Sequence, residues 1–332
     1  MLRHIEKTYT APARHWVGDG FHVSPLFNHM QGDKYTSPFL MLDYAMPQHF
    51  APNEAHSPKG VGAHPHAGFE TVTLALQGEV AHRDSAGNGG TIATGDVQWM
   101  TAGNGVVHEE FHSEAFSKTG GTFEMVQLWV NLPAAKKNVA PAYQSLKAAD
   151  IPLVPAGDGS VRLIAGELSG TKGAAHTHTE LNMWEIDLPA DGTMTLPVPA
   201  SHNLLLVALR GTARINDRDL LRPSELATFN ESGDSIRISA EGDAVKLLLL
   251  SGVPIDEPIA AYGPFVMNTR EEILQKIQDF NSGNSADCIK TTAAVRYMAF
   301  TIAIYIHLSA RRVCGELSNQ VQHFFKVHFI RG

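Results

Sequence analysis

Cysteine is nearly absent from this chain. Cys288 and Cys314 are the only two in 332 residues, which excludes a thiolate metal site and a disulfide framework. Long apolar runs are missing as well. The N-terminal MLRHIEKTYTAPARHW has no signal-peptide core, and no stretch reaches the roughly 18 apolar residues of a membrane span. Basic charge is also scarce. The formal net charge of -8 argues against charge-driven DNA binding, and no helix-turn-helix, basic stripe or Walker loop is present. No direct nucleic-acid or membrane partner is therefore expected, and the expectation is a cytoplasmic monomer. What remains, with 43% hydrophobic and 18% charged residues, is the composition of a soluble globular protein long enough for two domains.

The body reads as β. ETVTLALQGEVAHRD (Glu70 to Asp84), GDVQWMTAG (Gly95 to Gly103), FEMVQLWVNL (Phe123 to Leu132) and LNMWEIDL (Leu181 to Leu188) alternate polar and apolar residues between Gly, Pro, Asn and Asp clusters. Asn88-Gly89 signals a hairpin turn because both residues tolerate positive φ. Many evenly spaced short strands predict a sandwich or barrel. LALQGEVAH recurs as LVALRGTARI, aligning Gly78 with Gly211, and GDVQWMTAGNG resembles PSELATFNESG, aligning Gly105 with Gly233. Two copies of one β module explain the length. The Pro-, Ala- and Lys-rich segment between them, Leu132 to Gly159, reads as a linker.

After the second copy, NTREEILQKIQDF (Asn268 to Phe280) predicts a helix. Thr269 and Glu272 form a capping box, Ile273, Ile277 and Phe280 share a face, and Asn281 to Gly283 stops it. Residues 284–332 look foreign: six Lys/Arg against two Asp/Glu, and both cysteines. YMAFTIAIYIHL within them is too short to span a bilayer. Burial against the body is one reading of this tail; a read-through or frame-altered origin is the favoured one.

Seventeen histidines steer a metal hypothesis towards nitrogen and oxygen ligands. His64 and His66 lie two apart in VGAHPHAGFETV, and GNGVVHEEFH supplies His108, Glu109, Glu110 and His112. Residues two apart in a strand share a face, so His64 aims with His66, His108 with Glu110, and Glu109 away. Three imidazoles and a carboxylate suit a divalent first-row ion, Fe(II) above all, with Mn, Ni, Cu or Zn as alternatives. Four protein ligands leave two positions open for water, oxygen or substrate. Carried through the repeat, His64 and His66 fall opposite Pro197 and Pro199, and His108 and Glu110 opposite Ile236 and Ile238. One module would be metallated and its sibling structural. His112 is in phase with the pair and could replace one ligand or sit at the cavity mouth. His82 and Glu70 could orient a ligand from outside, whereas His176 and His178, lacking a second pair, read as a surface turn.

The stretches HPHAGFETVTLALQGEVAHRDS, GDVQWMTAGNGVVHEE and QLWVNLPAAKK resemble the pirin family of the cupin superfamily, and the resemblance runs from about Phe21 to Asp279. It implies an all-β fold of two antiparallel cupin barrels, a bicupin, with a few short helices. The corresponding boundaries are 1–140 for a metal-bearing barrel, 141–265 for a metal-free barrel, 266–283 for the helix and 284–332 for the tail. By the same resemblance one iron is held by His64, His66, His108 and Glu110. Family members are described as quercetin 2,3-dioxygenases and as iron-containing partners of transcription regulators or metabolic enzymes. The first implies a flavonol substrate and O2, with Glu110 taking the 3-hydroxyl proton and the ring opening to carbon monoxide and a depside. The second implies a protein partner.

Overall fold

The computed structural model describes residues 1–29, 34–53 and 57–282, so Gly283, the tail, its two cysteines and its apolar stretch lie outside the described residues. Within them the chain is all-β, with two short α-helices, Glu114–Thr119 and Arg270–Asn281. The first module pairs a seven-stranded sheet with a four-stranded one. The larger runs Ala142–Leu146, Val97–Thr101, Phe69–Gln77, Gly121–Asn131, Phe39–Phe50, Phe21–Asn28, His15–Val17; the smaller runs Gly60–His66, Val106–His112, Val80–Asp84, Gly89–Ile92. The second module repeats this plan strand for strand. Its larger sheet runs Ile5–Thr10, Glu225–Phe229, Asn203–Arg210, Val245–Gly252, Leu181–Leu188, Gly159–Ala165, Leu153–Ala156, and its smaller one Thr193–Pro197, Ser235–Ala240, Ala213–Ile215, Asp219–Leu221. Every ladder between these strands is antiparallel. Among the described residues none joins the larger to the smaller sheet, so each cupin barrel is flattened and held shut by side chains.

The edge strands are exchanged. Ile5–Thr10, from before the first module, pairs with Glu225–Phe229 of the second. Ala142–Leu146, from after the first module, pairs with Val97–Thr101. The segment read as a linker is therefore structured: it supplies that edge strand, the strand Leu153–Ala156 and two 3-10 turns. Its Pro/Ala/Lys composition hid Leu146 and Lys137, both buried.

The repeat is real, but one of its registers shifts. Gly78 and Gly211 both close tight turns at positive φ. Ile236 pairs with Leu196 as His108 pairs with His64, and Val198 donates its N–H to Asp234 as the counterpart of His66 beside Val106. Leu196 and Val198, not Pro197 and Pro199, thus take the histidine positions. The path from that strand to the aligned glycine is one residue longer in the second copy, which an ungapped register misses. The Asn88-Gly89 hairpin forms, but its left-handed residue is Gly87 (φ 87). Asp84 Oδ1 accepts the N–H groups of Ala86 and Asn88 at 2.9 Å each, so an Asx-type turn replaces the primed one.

Three layers of side chains fill the molecule. Val72, Leu74, Val126 and Leu128 of the first large sheet pack on Leu205, Val207, Leu248 and Leu250 of the second. The interior of the second module is aliphatic where the first carries histidines, with Leu196, Val198, Ile215, Ile236, Ile238 and Leu249 among its members. The interior of the first is apolar only at one end, around Phe21, Phe50, Phe116 and Phe123. The C-terminal segment then folds back on the first module. Ala67 accepts from Val266 N at 3.0 Å, and Ile273 of the capped helix packs with Ala67, Phe265 and Met267. The capping box of Thr269 and Glu272 is complete.

Candidate metal centre

The polar end of the first interior is built by period-two alternation on three neighbouring strands. His108 sits between His64 on one side and Asp84 on the other, and Glu110 lies opposite His82. A bulge between His108 and Glu110 breaks the pairing with Gly60–His66 at this point, as bulges often do beside functional groups. The rings of His64, His66 and His108 have centroids 4.2 to 4.9 Å apart. A ligand atom from each lies within 4.8 Å of the others, and a second such group joins His108 to His82 and Glu110. His64, His66 and His108 thus form one group, and Glu110 belongs to a second with His108 and His82, the two groups sharing His108.

Burial sets the protonation of this cluster. His66 and His108 are held well below the usual imidazole range, first by burial and then by the neighbouring His64, with His66 and His82 acting on His108 as well. Burial lowers His64 too. Neutral rings keep lone pairs free for a cation. His64 Nδ1 faces the Gly62 carbonyl at 2.8 Å, which leaves its Nε2 as the ligating atom. His66 Nδ1 and His108 Nε2 are buried without any hydrogen-bond partner. Orphaned buried nitrogens are costly unless something binds them, so the donor set fits a divalent cation of nitrogen and oxygen preference.

The opposite sheet orients the carboxylate. Thr73 Oγ1 donates to Glu110 Oε1 at 3.3 Å, and Gln127 Nε2 donates to Oε2 at 3.0 Å. Neither residue is legible as functional in the sequence, because both come from strands far from the His-x-His and His-x-Glu pairs. Glu109 points away, as alternation requires, and pairs with Arg83. Trp129 and Phe69 flank His66, with ring centroids 5.3 and 5.2 Å from it.

The remaining candidates separate cleanly. His112 belongs to the apolar end, packed among Phe21, Phe50, Phe116 and Phe123, with Nε2 at 3.0 Å from the Gly20 carbonyl. It is neither ligand nor mouth residue. Glu70 shares a face with Val72 and Leu74 rather than with Thr73, so it points away from the site; it accepts from Thr101 at 2.7 Å, and burial raises its carboxyl to about 7. His176 and His178 are exposed in a loop tied to Gln144. His82 is part of the centre. Asp84, two residues on, faces His82 at 3.6 Å, and its His-x-Asp spacing repeats the signal that marks His64 and His66.

An all-β chain of two cupin modules, one with a polar histidine-rich interior and one filled with aliphatic residues, defines a bicupin with a single metal-competent barrel. The chain belongs to the pirin family: the Pirin model matches residues 20–130 and the Pirin C-terminal cupin domain matches residues 183–286. It is 51% identical over 284 residues to a Pseudomonas aeruginosa protein named "Putative quercetin 2,3-dioxygenase", covering 85% of this chain and 98% of that one. It is 39% identical to a pirin-like protein of Solanum lycopersicum, over 75% of this chain and 81% of that protein. Among solved structures, a quercetin 2,3-dioxygenase from Acinetobacter baumannii superposes with a TM-score of 0.83 at 48% identity, covering 86% of this chain and 99% of that one. No helix among the described residues is long and apolar enough to cross a membrane.

Proposed function

We propose that this pirin is an iron-dependent dioxygenase that opens the flavonol ring of quercetin-type substrates. The observation that carries the reading is the pairing of three clustered imidazoles with a carboxylate held from the opposite sheet. His64, His66 and His108 would hold Fe(II), with Glu110 as the fourth ligand. When bound, iron would supply Lewis acidity towards the substrate's 3-hydroxyl and 4-carbonyl oxygens and the redox partner that dioxygen chemistry needs.

The chain's own residues do the rest. Glu110 accepts the 3-hydroxyl proton on a carboxylate oxygen, the general-base step that makes the flavonol electron-rich. Gln127 and Thr73 fix the plane of that carboxylate beforehand, so no reorganisation is needed when the proton moves. Phe69 and Trp129 present an aromatic wall beside His66, suited to a flat polyphenol. The apolar end around Phe50 and Phe123 keeps bulk water from the rear of the interior. Dioxygen then adds across the ring, and a depside and carbon monoxide leave.

The test is aerobic quercetin consumption by iron-loaded protein, followed by loss of the flavonol absorbance, with His108→Ala as control. Turnover in the first and none in the second supports the reading. No turnover in iron-replete protein would remove flavonols and favour an iron-bearing protein that acts through a protein partner.

A further inference from the structure

Behind His108 lies a chain of buried groups that the proposed chemistry does not use. His108 Nδ1 stands 3.4 Å from His82 Nδ1. Gln98 Nε2 approaches the same His82 nitrogen at 3.2 Å. On the far side of the ring, His82 Nε2 has no hydrogen-bond partner, and Asp84 Oδ2 lies 3.6 Å away. Side-chain exposure is 0% at His82 and 1% at Asp84, so water is not available to satisfy either. Tyr143 stacks on His82, with centroids 5.0 Å apart and planes within 12°, and holds the ring in this orientation.

A neutral imidazole has one N–H and one lone pair, and the partner of one nitrogen decides the other. A carboxylate accepts only, so Asp84 selects the Nε2–H form of His82. That leaves the His82 Nδ1 lone pair facing the two donors that converge on it, Gln98 Nε2 and His108 Nδ1. His108 must then carry its proton on Nδ1, and its orphaned Nε2 keeps the lone pair that a cation needs. At 3.4 and 3.6 Å these contacts are longer than ordinary hydrogen bonds, and it is the order of the groups, carboxylate to ring to ring, that sets which nitrogen faces which.

We infer that Asp84 acts through His82 as a two-step relay that fixes the ligating tautomer of His108. Asp84 and His82 are positioning residues for the metal centre: His82 faces the ligand His108, and Asp84 faces His82. Asp84 is itself anchored by the N–H groups of Ala86 and Asn88 and by the Asn88 amide at 3.0 Å, which ties the relay to the Asx turn of the hairpin.

Asp84→Asn reverses the relay's polarity while keeping its shape. The amide oxygen still accepts from Ala86 and Asn88, but an N–H donor now faces His82 Nε2. His82 must carry its proton on Nδ1, and His108 must accept there and protonate Nε2. The inference rests on the metal-site reading, so the experiment measures Zn(II) affinity by chelator competition, with no flavonol involved. Wild type, Asp84→Asn and His108→Ala are compared. We expect Asp84→Asn to weaken Zn(II) binding by about 10–100-fold and His108→Ala to weaken it further. Unchanged affinity in Asp84→Asn alone overturns the relay and leaves the metal site standing; unchanged affinity in His108→Ala overturns both. Because Asp84→Asn could fail to fold, ring-nitrogen NMR of histidine-labelled, Zn-loaded wild type gives an independent reading. His82 protonated on Nε2 and His108 on Nδ1 supports the relay, and His82 protonated on Nδ1 overturns it.

Discussion

Gln127 donates to Glu110 Oε2 at 3.0 Å, from the large sheet across the interior to the small one. The hydrogen bond joins the two halves of the first module at the carboxylate on which the proposed chemistry depends. Gln127→Ala removes the donor and frees Glu110 to rotate. Supporting contacts of this kind typically change metal affinity or activity by about 10–100-fold. We expect turnover to fall within that range with little change in melting temperature, measured by steady-state assay and thermal scan on the same sample.

Glu110→Gln tests the base directly. The amide retains a carbonyl oxygen that can still ligate iron, but it cannot take a proton at neutral pH. General-base removal costs about 10²–10⁴-fold in rate. Elemental analysis should find the variant still loaded with iron, and the quercetin assay should find it nearly inactive. Full activity in a loaded sample would exclude Glu110 as base.

The second module predicts the opposite sensitivity. Ile238 occupies the position that Glu110 holds in the first, is fully buried, and is surrounded by aliphatic side chains. Ile238→Glu buries a carboxylate with no donor in reach, whereas Ile238→Ala only opens a cavity costing about 2–5 kcal/mol. Thermal or urea unfolding should rank wild type above Ile238→Ala, and that above Ile238→Glu. The Glu variant should gain no metal, because Leu196, Val198 and Ile236 offer no ligands.

Asp43 gives a pH signature. It lies opposite Gln127 in the ladder, its Oδ1 has no partner, and burial raises its carboxyl from 3.8 to about 7. Between those two values the folded chain holds a proton that the unfolded chain has released. Stability therefore falls as pH rises through the window from 3.8 to about 7 and stays reduced above it. Asp43→Asn removes the ionisable group, so it should raise the melting temperature at pH 8 and change it little at pH 4. The gain at pH 8 has a ceiling on the order of 4 kcal/mol, read from urea unfolding at the two pH values.

The legible part of the site is the part that lies along single strands. His64 with His66, and His108 with Glu110, announce themselves because a two-residue spacing means a shared face whatever the rest of the chain does. Glu109 follows from the same rule, whereas His176 and His178 share the spacing and are set apart only by the lack of a second pair; they lie exposed in a loop. Thr73, Gln127 and the Asp84 contact depend instead on which strands face each other, and no local spacing encodes that. Leu196 and Val198 were displaced by one residue because a repeat carried through a glycine anchor cannot sense a turn one residue longer. The exchanged edge strands were hidden for a different reason. Ile5–Thr10 and Ala142–Leu146 are short and partly exposed, so their hydrophobic pattern is weak and their composition reads as terminus and linker.

A centre of His64, His66, His108 and Glu110 that opens a flavonol with dioxygen releases one carbon monoxide for each ring it opens. The most direct measurement is carbon monoxide released per quercetin consumed, by iron-loaded protein under air. Equimolar carbon monoxide is expected from the wild type and none from His108→Ala. Quercetin loss without carbon monoxide, or equal release from both proteins, would contradict this chemistry.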